Sequence, residues 1–406
     1  MRVLYFDQHF GTPKGATGSR SYQFSRALLA AGHEVTMVCG DYGRAALPLA
    51  RGRGKFLTRD VIDGIDVIAL RLPYSNETRI TTRMLVFLRF ALRAVWIALT
   101  SRYDLVFASS TPLTVAMPGI AARIVRRRPF VFEVRDLWPE LPRALGMRNP
   151  LLLGGMSLLE WAAYRSANAC IGLSPGIVSG IKRRSAPGKP IAMIPNCSDL
   201  DLFVQGRRED LDVPGVQGAD FVAAFAGAHG HANGLDVLVD AATVLQQRGV
   251  RNIKLVFVGD GKIKGHLISV AGSRGLDNCI FLPPIARIDL ARLLGSVNCG
   301  LMILKNVPAF YYGTSPNKFF DYVSAGVPVL NNYPGWLADM IGEHRCGLVV
   351  RPDDPAELAD GLQYLADHPG ECKAMGQRAR ALAEERFSRS VLARQFVSFL
   401  EGYCRP

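Results

Sequence analysis

The 406-residue chain is 49% hydrophobic and 20% charged, a globular composition that excludes disorder and suits two domains of about 200 residues each. Its formal net charge of +13 is confined to one half: residues 1–200 carry 27 Lys and Arg against 13 Asp and Glu, and residues 201–406 carry 21 against 22. The eight cysteines form no C-x-x-C pair, which excludes a disulfide framework and points to reduced core thiols.

In chain order, Val3–Phe6 predicts a strand. A Gly-rich loop containing Gly15 and Gly18 follows, then a helix from about Ser19 to Ala31 that ends at Gly32. His33–Cys39 returns as a strand, and further strands are expected at Val67–Leu70, Leu105–Ala108, Phe130–Val134, Ala169–Leu173 and Ile191–Ile194. Short buried strands alternating with helices read as a parallel α/β sheet. The polar stretch Asp201–Gly218 reads as a linker, after which the pattern restarts at Phe221–Ala226, Leu255–Val258, Ile280–Leu282, Leu301–Leu304 and Val327–Asn331. Residues 1–203 and 204–387 are the expected domains. Ser388–Gly402, with Val391, Phe396 and Phe399, is an amphipathic helix expected to pack back on the first.

Arg83–Thr100 is an apolar helix with an arginine stripe. Arg89 and Arg93 are placed on one face bordered by Val86, Phe90 and Trp96, while Leu85, Leu88, Leu92 and Leu99 are expected to pack on the sheet. Mixed Trp, Phe and Arg suit a headgroup interface, to which Arg126–Arg128 and Lys182–Arg184 add; a solvated helix is the alternative. No run of 18 apolar residues and no signal-like start occur, so a soluble or peripheral protein is expected. Aromatic–basic interleaving is absent outside this helix, which argues against nucleic acid.

The most specific stretch is Gly313–Leu330. Ser315 is expected to cap a helix whose first position is Pro316, and its free amides with Lys318 form a diphosphate site. Asp321 follows on the same helix, where a carboxylate accepts hydrogen bonds from ribose hydroxyls. An ordinary well-capped surface helix is the competing reading. Glu133, Arg135 and Asp136 end the strand Phe130–Val134. Asp136 is the candidate acid for acceptor activation or for steadying developing positive charge, and Arg135 the candidate phosphate ligand; a structural ion pair is the alternative.

Gly313–Leu330 resembles the C-domain signature of family 4 retaining glycosyltransferases of the GT-B fold. It is most similar to the bacterial branch with a Ser-Pro-x-Lys-x-x-(Asp/Glu)-Tyr pattern, which includes L-fucosamine-type transferases of O-antigen and capsule pathways. Ile194–Phe203, Phe225–Gly227 with Gly234–Leu238, Val256–Gly261 and Phe132–Glu140 resemble further family segments. The resemblance implies two Rossmann-like domains facing a central cleft, with a UDP-sugar held by Gly227, His229, Gly259, Asp260, Ser315, Pro316, Asn317, Lys318 and Asp321. It implies a polyprenyl-diphosphate-linked acceptor, and a leaving diphosphate that takes the acceptor proton. The loop of Gly15 and Gly18 would close over donor or acceptor. No cofactor is implied, and metal independence is expected. Arg89, Arg93 and Trp96 would dock the protein on the anionic inner leaflet, from the cytoplasmic side.

Three positions depart from the family pattern. Gly313 stands where the first Glu of a Glu-x7-Glu pair is usual, Ala228 replaces an Arg and Asn233 a Lys. Diphosphate neutralisation then falls on Lys318, helix-start amides and His229 or His231. A nonhydrolysing UDP-sugar epimerase and an inactive nucleotide-sugar-binding protein are the rival readings.

Overall fold

The structure is a computed structural model and describes residues 1–13, 20–42, 47, 49, 56–72, 80–204 and 212–403. Gly15 and Gly18 lie outside the described residues. The chain divides into two compact units. The first is Met1–Pro195 with Gly313–Ser315 and Ser390–Pro406; the second is Asn196–Tyr312 with Pro316–Arg389.

The first unit runs β1 (Arg2–Phe6), α1 (Arg20–Ala30), β2 (Glu34–Asp41), β3 (Leu57–Ile62), β4 (Ile65–Arg71), α2 (Ile80–Thr100), β5 (Leu105–Ser109) and α3 (Ala116–Val125). It continues through β6 (Phe130–Val134), α4 (Glu140–Ala144), α5 (Pro150–Ser166), β7 (Ala169–Gly172), α6 (Pro175–Arg184) and β8 (Ile191–Met193). Its sheet order is β3-β4-β2-β1-β5-β6-β7-β8, parallel except where β3 meets β4 antiparallel. The core strands β5 and β6 are buried along their whole length, as expected of strands covered on both faces. Local chemistry sets the helix starts. Asn149 accepts from the amides of Leu151 and Leu152 at α5, and Ser174 from Ile177 at α6, each followed by a proline.

The second unit runs β9 (Phe221–Ala226), α7 (Asp236–Gln247), β10 (Ile253–Val258), α8 (Lys264–Ser273), β11 (Cys279–Leu282), α9 (Arg287–Ser296), β12 (Cys299–Met302), α10 (Pro308–Gly313) and α11 (Asn317–Ser324). Then follow β13 (Val329–Asn331), α12 (Trp336–His344), β14 (Gly347–Val349), α13 (Pro355–Asp367) and α14 (Pro369–Leu382). Its six-stranded sheet has the order β11-β10-β9-β12-β13-β14 and is parallel throughout. The chain winds outward both ways from β9/β12 here and from β1/β5 in the first unit. Loops after those strands therefore line the crevice where open α/β sheets bind ligands.

The last helix, α15 (Arg389–Glu401), packs within the first unit from Ser390 onward. Phe396 stacks on Phe24 at 4.2 Å and meets Phe107 edge-on at 5.0 Å. Its buried stripe is Leu392, Phe396 and Leu400, with Val391 and Phe399 half-buried at the margins.

Helix α2 corrects the sequence reading. Val86, Phe90, Ala94 and Ile97 enter the core, whereas Leu85, Leu88 and Leu92 stay 44–56% exposed and Leu99 is half-buried. The alanines explain the choice: Ala91, Ala94 and Ala98 are fully buried, and small side chains let the helix approach its neighbours closely. Arg93 does not share a solvated face with Arg89. It is half-buried, donates to the Arg71 carbonyl at 3.3 Å and lies over the Phe56 ring.

Candidate functional site

In the second unit, the loops after β9 and β10 pack backbone against backbone. The amide of Gly227 donates to the Val258 carbonyl, and that of His229 to the Asp260 carbonyl at 2.8 Å. A Cβ on Gly259 would fall 2.0 Å from the Gly227 carbonyl oxygen, and one on Gly261 2.4 Å from that of His229. The Gly-Asp-Gly sequence is thus a demand of this close approach. Asp260 itself is exposed, and its carboxylate accepts from the Gly261 amide.

Helix α11 brings its side chains to the β9/β12 switch point. The Tyr322 hydroxyl accepts from the Ala226 amide at 3.1 Å and donates to the Leu301 carbonyl at 3.2 Å, joining the helix to both strands. The helix starts one residue later than expected. Its N-cap is Pro316, whose side chain supplies no capping hydrogen bond, and Asn317 is the first helical residue. Ser315 is therefore not the N-cap. Proline has no side-chain acceptor for the first-turn amides, and Asn317 is exposed beside them.

Lys318 donates to the Asn233 side chain at 2.9 Å and sits 4.1 Å from the Phe225 ring centroid. A Cβ on Gly227 would lie 3.7 Å from Lys318 Cε. Burial pulls its ammonium down to about 7, so losing solvent leaves it ready to be recharged by an anion. The Asn233 amide also donates to the Ala228 carbonyl at 2.7 Å. The position where the family pattern has a lysine thus holds the remaining lysine in place.

His229 is fully buried, and neither ring nitrogen has a hydrogen-bond partner. Burial, then Lys264 and Lys318, pull it down to about 4. It is neutral at pH 7 and supplies no positive charge, which corrects that part of the expectation; His231 is exposed. Lys264 is spent on the Gly259 and Leu282 carbonyls, both at 2.8 Å.

Asp321, one turn beyond Lys318, is buried at 5% exposure. Its carboxylate faces Arg287, the first residue of α9, at 2.8 Å, and the same guanidinium lies over Phe203 at 4.9 Å. Burial raises Asp321, tempered by Arg287 and reinforced by Asp199. Arg287 was missed in the sequence because its partner lies far along the chain. Ser198 donates to the Phe320 carbonyl at 3.2 Å, which ties it to α11 within the second unit. The sequence contains Asp-x-Asp spacings at Asp199–Asp201 and Asp210–Asp212. Asp199 is paired with Arg389, and no group of three or more His, Cys, Asp or Glu suited to a metal occurs among the described residues.

In the first unit, Ser109 ends β5, and Asp7, Ser110, Arg135 and Asp136 follow the carboxyl ends of β1, β5 and β6. Glu133 is fully buried and accepts from Arg20 Nε at 3.0 Å, Arg20 Nη2 at 2.7 Å and Ser109 at 2.7 Å. Arg20 also donates to the carbonyls of Ile194 and Pro195. The structural ion pair is thus Arg20–Glu133, and Arg135 forms no ion pair among the described residues. Burial opposes the charge on Arg135, but Asp7, Glu133 and Asp136 outweigh it. Asp136 accepts from Thr111 at 3.0 Å and is raised by burial, with Arg135 and Thr111 opposing. Arg20 and Asp7 were missed. A glutamate inside an apolar strand was the available signal, since it needs a buried counter-charge.

Comparison with known proteins follows the two units. Residues 15–197 match the glycosyl transferase 4-like domain and residues 206–382 the glycosyl transferases group 1 domain. The D-rhamnosyltransferase WbpZ of Pseudomonas aeruginosa is 27% identical over 165 residues, 40% of this chain and 41% of the relative. The match therefore spans less than half of that relative's length. A sucrose-phosphate synthase from Thermosynechococcus elongatus superimposes with a TM-score of 0.75 at 17% identity, covering 99% of this chain and 98% of that one. Anabaena HepE in complex with UDP and glucose gives a TM-score of 0.72 at 17% identity, covering 99% and 100%. With a glycosyltransferase domain matching each half, the chain belongs to the GT-B glycosyltransferase family.

Proposed function

We propose that the protein transfers a sugar from a UDP-sugar to a lipid-linked saccharide with retention of configuration. The sugar is an N-acetylated amino or deoxyamino sugar, the acceptor a polyprenyl-diphosphate-linked saccharide of bacterial surface polysaccharide synthesis, and the place of work the inner leaflet. The observation that carries this reading is Lys318 at the start of α11, half-buried beside the Gly227 loop with its pKa drawn down to about 7. A desolvated ammonium beside uncapped helix-start amides is a receptor for diphosphate. Support for UDP comes from HepE, which carries it in its complex; support for sugar transfer comes from WbpZ, a D-rhamnosyltransferase.

In this reading Lys318, the amides at Asn317 and Lys318, and the loops of Gly227 and Gly259–Asp260 receive the diphosphate. Asp321 accepts from the ribose. The bond from the anomeric carbon to the diphosphate oxygen breaks, and one to the acceptor oxygen forms on the same face. The acceptor proton passes to the leaving diphosphate, and no metal takes part. In the first unit, Arg135 is the phosphate ligand, and Asp136 is the acid that activates the acceptor or steadies the developing positive charge.

Thermal-shift measurements with UDP-, GDP-, TDP- and CDP-sugars, on the parent and on Lys318→Ala and Asp321→Ala, test the donor site. Ligand stabilisation scales with occupancy, so UDP-sugar should stabilise the parent and lose most of that effect in both variants. Unchanged stabilisation in both rejects the assignment. Binding without transfer is the second reading, favoured by Gly313, Ala228 and Asn233; a UDP response with no product on any lipid-linked acceptor selects it.

A further inference from the structure

The outward face of α2 is apolar. Leu85, Leu88, Leu92 and Trp96 are 46%, 44%, 56% and 63% exposed, and Arg89 is the charged residue among them. A helix apolar on both its core and its outer face belongs in a buried or lipid setting. No helix among the described residues is long and apolar enough to cross a membrane.

Helix α5 repeats the pattern, with Leu158 and Trp161 exposed at 65% and 50%. Helix α3 packs against both α2 and α5, and ends in exposed Ile124 and Val125. Arg126 ties that end to the last turn of α2 through the carbonyls of Ala98 and Ser101. These three helices therefore form one surface of the first unit.

Charge marks the same surface. Arg89 of α2 and Arg123, Arg127 and Arg128 at the end of α3 are exposed, and neither helix carries an acidic residue. Glu133 and Glu160 are buried, and Asp104 is paired with Arg2. Exposed tryptophans beside arginines suit the boundary between headgroups and acyl chains. A second copy of the chain would bring like charge against like. An anionic bilayer satisfies both the apolar and the basic parts.

We propose that the outward face of α2, α3 and α5 docks on an anionic leaflet, with Trp96 and Trp161 at headgroup level and Arg89, Arg123, Arg127 and Arg128 on lipid phosphates. This deepens the reading of a lipid-linked acceptor and rests on it only for the purpose that docking serves. Arg93, held by the Arg71 carbonyl, is not part of the surface.

Flotation of the full chain with phosphatidylcholine vesicles, with and without phosphatidylglycerol, tests the surface. The parent should float with phosphatidylglycerol vesicles and remain behind with phosphatidylcholine alone. Leu88→Glu and Leu158→Glu should each weaken partitioning about tenfold or more, and Arg127→Glu with Arg128→Glu should remove the preference for anionic lipid. Each variant should keep the parent's UDP thermal shift, which shows that it is folded. Three results overturn the inference: no flotation of a parent that still responds to UDP, flotation undiminished in all folded variants, or a dimer that the same substitutions dissolve. Flotation as described by a parent that ignores UDP supports the docking surface and removes the sugar-transfer reading instead.

Discussion

Arg287 and Asp321 stand 34 residues apart and meet through two guanidinium nitrogens, Nη2 at 2.8 Å and Nη1 at 3.4 Å. The arginine fixes the carboxylate's direction and uses part of its acceptor capacity, which leaves lone pairs for a diol. Losing it leaves a buried charge with no counter-ion. Arg287→Met should cost about 3–5 kcal/mol at pH 7. Asp321 already lies above the usual carboxylate range and rises further without Arg287. The native state then takes up a proton before the unfolded chain does, so the penalty is full at neutral pH and shrinks as pH falls through the raised value. Urea unfolding at pH 7 and pH 5 measures this, and adding Asp321→Asn should restore most of the loss. A variant as stable as the parent at pH 7 would show that the pair contributes nothing.

Lys318 makes nucleotide binding depend on pH. Its ammonium is drawn down to about 7 by burial, so half is neutral near that pH before any ligand arrives. A diphosphate favours the charged form, and binding above pH 7 therefore takes up a proton. UDP affinity should fall by up to about tenfold per pH unit above 7, until the bound-state pKa is reached. In the free protein the sign is opposite: the folded value lies below the unfolded one, so this group's contribution to stability rises from pH 7 towards pH 10. Calorimetry in buffers of different ionisation enthalpy reads the proton uptake directly. Lys318→Arg should bind UDP with no uptake from this position, because guanidinium stays charged. Equal uptake in parent and Lys318→Arg would assign the proton to another group.

The parallel strands were legible because buried strands read as apolar runs; Phe130–Val134 and Phe221–Ala226 have the same bounds in sequence and structure. Strand β3 was not, since its inward positions are Thr58, Asp60 and Ile62 and show no apolar alternation. The face of α2 was misread for a physical reason: both sides are apolar, so periodicity cannot say which one the core accepts. Lys318 and Asp321 were visible from their spacing on one helix. Arg287 and Arg20 were not, because each meets its carboxylate 34 or 113 residues away, and no local pattern records such a pairing. The neutral state of His229 was hidden for the same reason, as burial and two lysines from other elements decide it.

Gly259 has no room for a side chain. Its φ is +139°, and a Cβ there would sit 2.0 Å from the Gly227 carbonyl oxygen. Gly259→Ala must push the two loops apart and should abolish the UDP thermal shift along with about 1–3 kcal/mol or more of stability. Gly265, on α8 with nothing within 4 Å of an added Cβ, is the control. Alanine there should stabilise by about 0.5–1 kcal/mol through helix propensity. Thermal melts of the pair with and without UDP decide the matter, and an unimpaired Gly259→Ala would mean that the loops are not held as closely as described.

Arg20 and Glu133 join three parts of the first unit. The arginine opens α1, the glutamate lies in β6, and the carbonyls of Ile194 and Pro195 close the same guanidinium. Burial raises Glu133, but Arg20, then Arg135 and Ser109, outweigh it and leave the carboxyl below its ordinary value. Its contribution is therefore present above the unfolded value near 4.3 and is lost as pH falls through the lower folded one. Glu133→Gln and Arg20→Met should each cost about 3–5 kcal/mol at pH 7, because each strands a buried partner. The double variant should cost much less than the two losses added, giving a coupling of about 0.5–3 kcal/mol. Glu133→Gln should also flatten the acid limb of stability against pH, a change that lost packing alone does not produce. Additive losses and an unaltered acid limb would mean that the two side chains are held by their surroundings and not by each other.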